Sequence, residues 1–200
     1  MEKTPLEDLH LPPRSECTYT SSYCEENVWK LCELVKSSCP DLLRRCFVVF
    51  VSNHKAAVPI WKQKSGTKEN GLAVWDYHVV FIYRPADDRL PRVYDFDTDL
   101  PFPVDMTTYI AKAFQPMMPI LPDYRQMFRV VEAEEFLRTF ASDRSRMKRP
   151  DGSWLEEPPA YPCIRTSVST NNIEDFISMD KSVGYGEVLS LKEFEERFSV

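Results

Sequence analysis

The feature that most constrains this 200-residue chain is the apolar run LAVWDYHVVFIY at residues 72–83. Aromatic and β-branched residues favour strands, and both alternating faces of this run are apolar. That pattern is typical of a central strand rather than an edge strand. Three further runs of the same kind are bounded by turn residues: CFVVFVSN (46–53), AVPIWKQ (57–63) and RVYDFDT (92–98). The sequence therefore predicts an antiparallel sheet with residues 72–83 in its interior.

A helix is predicted before the sheet. Ser22-x-x-Glu25 has the spacing of a capping box, in which a serine and a glutamate bond each other's exposed backbone N–H groups. The buried face of this helix begins with Cys24, and apolar residues follow it at helical spacing: Val28, Leu31 and Val35. Helical periodicity returns at 107–114, 132–141 and 189–198, and MFRVV (127–131) is typical of one more strand.

These elements predict a single α+β domain in which an N-terminal helix carrying Cys24 packs on an antiparallel sheet. The domain is expected to cover residues 17–200. Residues 1–16 are polar and contain prolines, so we expect a disordered tail there. Residues 151–163 have the composition of an irregular surface loop.

Composition and charge exclude several classes of protein. The net charge of -6 argues against a nucleic-acid-binding protein, which usually carries a basic patch. The six cysteines form no C-x-x-C pair, so neither a zinc knuckle nor a thioredoxin motif is predicted. The first residues, MEKTPLEDLH, lack the regions of a signal peptide, and no apolar run has the length of a membrane span. We therefore expect reduced cysteines in a cytosolic protein.

One histidine stands out, because His78 alone lies within a predicted strand, whereas His10 falls in the tail and His54 in a polar turn. If PADD (85–88) forms a four-residue hairpin loop, His78 lies directly opposite Asp95 on the next strand. A neighbouring register makes the two residues diagonal neighbours, which remain within reach of each other. A carboxylate that holds one imidazole nitrogen leaves the other free to accept a proton from a thiol.

Cys24 is the candidate for that thiol. It lies at the predicted start of a helix, where the helix dipole favours a thiolate, and a protonated imidazole would lower the thiol pKa further. The residues alone leave alternatives open. A helix cysteine is usually a packing residue, a strand histidine usually a hydrogen-bonded core residue, and Asp97 matches Asp95 as the acid. From spacing alone, a cysteine triad and a purely structural role are about equally supported.

Seven segments resemble the protein N-terminal glutamine amidohydrolase family, in the same order and at compatible spacing: SSYCEENVWKLCE, VPIWKQK, WDYHVV, YDFDTDLPFP, FASDRSRMK, PPAYPCI and NIEDFISMD. The resemblance covers about residues 17–198, and WDYHVV followed by YDFDT is its most specific part. By the family's pattern, the nucleophile is the cysteine of YCEEN, the base is the histidine of WDYHVV, and the orienting acid is the first aspartate of YDFDT. The resemblance thus implies a triad of Cys24, His78 and Asp95, and a fold similar to transglutaminases and papain-like cysteine proteases.

The same resemblance implies a reaction and a setting. The expected reaction converts the N-terminal glutamine of a protein or peptide to glutamate through a thioester, with release of ammonia. In the N-degron pathway this step prepares the terminus for arginylation and degradation. We expect this protein to need no metal and no organic cofactor. We expect a monomer that binds Gln-initiated proteins and peptides but neither nucleic acid nor membranes. Its expected location is the cytoplasm, with the nucleus as an additional compartment.

Two other functions remain open at this stage. One is a related reaction, by a cysteine peptidase or by a transglutaminase that passes the acyl group to an amine. The other is a non-catalytic adaptor that binds peptide termini without changing them. A site specific for N-terminal glutamine must also recognise the α-ammonium group, and a carboxylate is the simplest acceptor. The sequence offers Asp76, Asp97 and Asp143 as candidates without ranking them.

Overall fold

The computed structural model describes residues 8–199, and its centre is a six-stranded sheet in which every neighbouring pair is antiparallel. The order is β6-β5-β4-β1-β7-β8. These strands are β1 (Cys46–Ser52), β4 (His78–Tyr83), β5 (Arg92–Tyr94), β6 (Val104–Asp105), β7 (Met127–Glu132) and β8 (Glu187–Ser190). A separate pair is formed by β2 (Val58–Ile60) and β3 (Ala73–Trp75). The predicted strands at 46–53 and 127–131 are confirmed. The strands predicted at 57–63 and 92–98 are shorter than expected, Val58–Ile60 and Arg92–Tyr94, and the first of them lies outside the large sheet.

Helices cover both faces of the sheet. They are α1 (Cys24–Ser38), α2 (Met106–Tyr109), α3 (Ala133–Thr139), α4 (Ile173–Ile177) and α5 (Leu191–Phe198). A π-helical turn, Ile110–Phe114, continues α2. On one face α1, α3 and α4 pack against Val48 and Phe50, whereas α2 and α5 pack on the face that carries Val49 and Val80. The predicted α+β class, with the N-terminal helix on an antiparallel sheet, is confirmed.

The apolar run at 72–83 is not one strand, so that part of the prediction is wrong. Its first half, β3, pairs with β2 in the small sheet, and its second half, β4, lies inside the large one. The chain leaves strand geometry at Asp76 and Tyr77, where the Asp76 carbonyl accepts a hydrogen bond from the Ser52 hydroxyl. The central position predicted for the run is correct for β4, since all six of its residues are buried.

The hairpin between β4 and β5 is longer than predicted. Tyr83 pairs with Arg92 and Phe81 with Tyr94, so the register is shifted by two residues from the one that a four-residue PADD loop would give. In this register His78 and Asp95 are diagonal rather than directly opposite, and Asp95 follows the last residue of β5. The diagonal arrangement was the second of the two registers that the sequence left open.

The predicted capping box at Ser22 is absent. Ser22 has a positive φ of 66°, and the residue that precedes α1 is Tyr23, whose side chain forms no capping bond. The approach to the helix is instead held by Asn27, whose side-chain amide accepts from the Thr20 N–H and donates to its carbonyl, both at 2.8 Å. A complete capping box occurs at Ser190 and Glu193, at the start of α5.

Part of the predicted tail packs on the domain. Leu9 is buried, and Asp8 forms ion pairs with Arg89 and Arg92. Arg14 donates to the Leu100 carbonyl. Residues 1–7 lie outside the described residues, and the domain boundary at residue 17 stays a prediction. Within residues 8–199, no helix is long and apolar enough to span a membrane.

The two capping motifs make a matched pair for measurement. Replacing Ser190 with alanine should lower the free energy of unfolding by about 1 kcal/mol, because an N–H at the first turn of α5 loses its acceptor. Ser22→Ala should change it by less than about 0.5 kcal/mol, because Ser22 caps no helix. Urea titrations of both variants measure this difference, and equal losses would contradict the assignment.

Candidate active site

The centre of the site is a buried imidazole–carboxylate pair. The Nε2–H of His78 donates to Asp95 Oδ1 at 2.8 Å, and both side chains are fully buried. Three other groups donate to the same carboxylate: the Asp97 backbone N–H at 2.9 Å, the Gln63 amide at 3.1 Å and the Tyr109 hydroxyl at 2.8 Å. Burial by itself would raise the pKa of Asp95, but the charge and hydrogen bond of His78 and the other donors lower it to about 2.

The second ring nitrogen of His78 is available for chemistry. Its Nδ1 is buried and has no hydrogen-bond partner, and the ring stacks on Trp75 at 5.2 Å between centroids. Burial lowers the pKa of His78, but the Asp95 charge and hydrogen bond outweigh this and raise it above its ordinary value. Asp95 therefore fixes the tautomer, and Nδ1 is the atom that can accept a proton.

Cys24 is the first residue of α1, and α1 packs against β4. Its thiol is buried, lies 3.6 Å from Glu25 Oε2, and faces the backbone N–H of Val79, the residue after His78. Burial raises the pKa of the Cys24 thiol well above its ordinary value, and the negative charges of Glu25 and Asp97 raise it further. The Val79 N–H acts in the opposite direction but does not fully offset these effects. The expected lowering of this pKa is therefore wrong for the protein without a bound substrate.

Two adjacent glutamates beside Cys24 are buried in different ways. Glu26 accepts two hydrogen bonds from the Arg144 guanidinium, at 2.9 and 2.8 Å. Glu25 accepts one from the Tyr77 hydroxyl at 3.0 Å and one from the Cys24 thiol at 3.6 Å. No lysine, arginine or histidine in residues 8–199 forms an ion pair with it. Burial raises the pKa of Glu25 to about 7, with a contribution from the charge of Glu26.

The remaining candidate carboxylates differ in position. Asp97 lies close to His78 and Asp95, and its Oδ1 accepts from the Tyr19 hydroxyl at 2.6 Å. Asp76 is exposed and forms an ion pair with Arg146. Asp143 caps a turn by accepting from the Ser145 N–H. Only Asp97 of the three therefore belongs to the site.

His78, Asp95 and Asp97 are also the one group in residues 8–199 with the proximity needed for a metal ion. Both oxygens of Asp95 already accept hydrogen bonds from His78, Gln63 and Tyr109. A metal ion bound to Asp95 would have to displace these donors. The cluster is accounted for by hydrogen bonding, and we assign no metal ligand or cofactor-binding residue here.

The sequence analysis missed several residues of the site. Gln63, in the segment after β2, and Tyr109, in α2, both donate hydrogen bonds to Asp95. Neither is a sequence neighbour of Asp95. Arg144 also donates to the carbonyls of Pro159 and Tyr161, so the ion pair with Glu26 anchors the irregular loop at 151–163. Glu25 was assigned to a capping box, and the only signal for another role was the adjacent pair of acids at the start of a buried helix face.

The two glutamates should respond oppositely to neutralisation. The folded protein holds Glu25 with a pKa of about 7, above its ordinary 4.5, so ionisation costs stability as the pH rises from 4.5 through 7. Glu25→Gln removes this cost. Its free energy of unfolding should improve relative to the unsubstituted protein between pH 5 and pH 8, by on the order of 2–3 kcal/mol.

The matched control is Glu26→Gln, which leaves the buried Arg144 without its counter-ion. This variant should be destabilised by about 3 kcal/mol at both pH values. Denaturant titrations at pH 5 and pH 8 measure both effects. A Glu25→Gln difference that is independent of pH would show that the carboxylate is not held in an unfavourable environment.

Comparisons with known proteins show the family of this chain. A sequence model described as N-terminal glutamine amidase matches residues 19–198. The protein N-terminal glutamine amidohydrolase of Bos taurus is 49% identical over 188 residues, 94% of this chain and 90% of the relative. The proteins of that name from Homo sapiens and Drosophila melanogaster are 48% and 45% identical, over 94% and 96% of this chain and 90% and 93% of the relatives. The chain belongs to the N-terminal glutamine amidase family.

Proposed function

We propose that this protein hydrolyses the side-chain amide of an N-terminal glutamine to give glutamate and ammonia. One observation carries the proposal: a buried His78–Asp95 pair with a free Nδ1 lies at the start of the strand against which the Cys24 helix packs. The family match supports the choice of substrate, because its relatives are named for this activity.

The proposed mechanism uses Cys24 as nucleophile and His78 as the proton carrier. His78 Nδ1 takes the thiol proton as sulfur attacks the amide carbon, and it returns that proton to the departing nitrogen. The C–N bond breaks, ammonia leaves, and a γ-glutamyl thioester remains. Water, deprotonated by the same imidazole, then cleaves the thioester to glutamate and restores the thiol. The Val79 N–H offsets part of the burial that raises the pKa of Cys24, and so favours the thiolate before attack.

Asp95 acts through His78 in this scheme. Its carboxylate holds Nε2–H, so the proton-accepting nitrogen is Nδ1 throughout, and it stabilises the imidazolium that forms in each step. Gln63 and Tyr109 keep the carboxylate oriented toward the ring rather than toward solvent. We further infer from the family resemblance a role in the N-degron pathway, a cytoplasmic location with the nucleus also open to it, and a monomeric state.

The proposal predicts that Cys24→Ala abolishes ammonia release, because alanine has no sulfur to attack the amide carbon. The assay incubates a Gln-initiated peptide with the purified protein and follows ammonia release together with the mass change of deamidation. Cys39→Ala, at the opposite end of α1, is the control and should retain activity. Peptide-bond cleavage would indicate a peptidase, and incorporation of an added amine a transglutaminase. Binding without any mass change would indicate an adaptor.

The two aspartates near the imidazole should differ in their effects. Asp95→Asn removes the carboxylate that selects the tautomer of His78, so the turnover number should fall by roughly 10³- to 10⁴-fold, as in a serine-protease triad. Asp97→Asn should cost less, because the Asp97 side chain accepts from Tyr19 and not from the imidazole. Steady-state kinetics of both variants measure the difference. A greater loss at Asp97 would reassign the acid.

A further inference from the structure

Glu25 is a buried acid next to the proposed nucleophile, and no cation within residues 8–199 forms an ion pair with it. Glu25 is 3% exposed, and its Oε2 accepts a hydrogen bond from Cys24 Sγ at 3.6 Å. The neighbouring Glu26 is paired with Arg144, and Asp95 with His78. An unpaired carboxylate in such a position is costly to keep ionised. A cation supplied by the substrate would neutralise this carboxylate and would explain why an acid is buried here.

An N-terminal glutamine brings a cation to the required distance. Four covalent bonds separate its α-ammonium nitrogen from its side-chain amide carbon, a span of roughly 4–5 Å. At the start of attack the amide carbon lies about 3–3.5 Å from the sulfur, and an ammonium bonds a carboxylate at about 2.7–2.9 Å. Oε2 accepts hydrogen bonds from the Cys24 thiol at 3.6 Å and from the Tyr77 hydroxyl at 3.0 Å. Once the thiol proton has moved to His78, the first of these bonds is lost, so the Glu25 carboxylate can hold the ammonium while the amide carbon faces the sulfur.

The other carboxylates are less suited to this task. Asp76 already forms an ion pair with Arg146, and the Asp143 side chain caps a turn. Asp97 is near the imidazole and has only a neutral side-chain partner, Tyr19, so it is the remaining competitor. Asp97 is only half-buried, however, whereas Glu25 is almost completely withdrawn from water. The need for a cationic partner is therefore greatest at Glu25.

We propose that Glu25 binds the α-ammonium group of the N-terminal glutamine and is the residue that selects a free N-terminus. This inference rests on the proposed function. It also connects recognition to reactivity, because the negative charge of Glu25 opposes the formation of a thiolate at Cys24 and a bound ammonium would neutralise it. A substrate without the ammonium would leave the nucleophile beside an unneutralised acid. Internal and acylated glutamines would then react poorly even when their amide reaches the thiol.

The test compares two peptides that differ only in the α-amino group. One begins with glutamine, and the other has a 4-carbamoylbutanoyl group in its place, which keeps the amide and removes the ammonium. For Glu25→Gln, kcat/KM for the Gln-initiated peptide should fall about 10- to 100-fold, the loss expected for one charge-assisted hydrogen bond. For the des-amino peptide kcat/KM should not fall and is expected to rise, because the substitution removes the negative charge that opposes the thiolate of Cys24. The ratio of kcat/KM for the Gln-initiated peptide to that for the des-amino peptide would therefore fall.

A binding measurement covers the case in which turnover of the des-amino peptide is too slow to follow. In the Cys24→Ala background, calorimetry should show that Glu25→Gln raises Kd about 10- to 100-fold for the Gln-initiated peptide. The Kd of the des-amino peptide should change by less than about threefold. Asp97→Asn, measured in the same way, is the matched control and should retain most of the preference for the ammonium.

Two results would overturn the inference. Equal losses on both peptides would mean that Glu25 supports the structure of the site without contacting the ammonium. Loss of the preference in Asp97→Asn but not in Glu25→Gln would place the ammonium at Asp97. Failure of the proposed function is recognised separately, because the unsubstituted protein would then release no ammonia from the Gln-initiated peptide.

Discussion

The buried hydrogen bond between His78 and Asp95 is the interaction on which the architecture of the site depends. A carboxylate can be withdrawn from water only if its oxygens are supplied with donors, and Asp95 receives four. These donors come from β4, from the segment after β5, from the segment after β2 and from α2. Satisfying one side chain therefore brings together the large sheet, the small sheet and a helix, and it leaves a single imidazole nitrogen unpartnered.

The start of α1 carries the complementary half of the site and an unusual distribution of charge. Glu26 and Arg144 form a closed, fully partnered ion pair that also holds the loop at 151–163 through two backbone carbonyls. Glu25, one residue earlier, accepts hydrogen bonds from a tyrosine hydroxyl and from the Cys24 thiol, and within residues 8–199 it has no cationic partner. A chain optimised only for stability would not bury an acid without a cation, because its ionisation opposes folding above its ordinary pKa. Such local costs are typical of functional sites.

Much of the fold follows from patterns that are local in the sequence. Runs of β-branched and aromatic residues predict β1, β4 and β7, and helical spacing predicts α1 and α5, because these signals lie within each segment. The predictions that failed concern boundaries. The run at 72–83 is apolar throughout, so no local signal marks where it leaves one sheet for another. The Ser22 and Glu25 spacing is a valid capping signal, but Ser22 has a positive φ and the Glu25 side chain bonds Tyr77 instead.

The sequence by itself determined the class of the fold, the family and the residue types of the site: a cysteine at a helix start, a histidine in a strand and aspartates after the next strand. Only the tertiary structure decided which aspartate holds the imidazole, since Asp95 and Asp97 alternate equally well along one strand and differ in their partners from other elements. It also decided that Glu26 has a counter-ion and that Glu25 has none within residues 8–199, because Arg144, which neutralises Glu26, lies more than a hundred residues away in the chain. Charge compensation at long range depends on three-dimensional contact, and no local pattern encodes it.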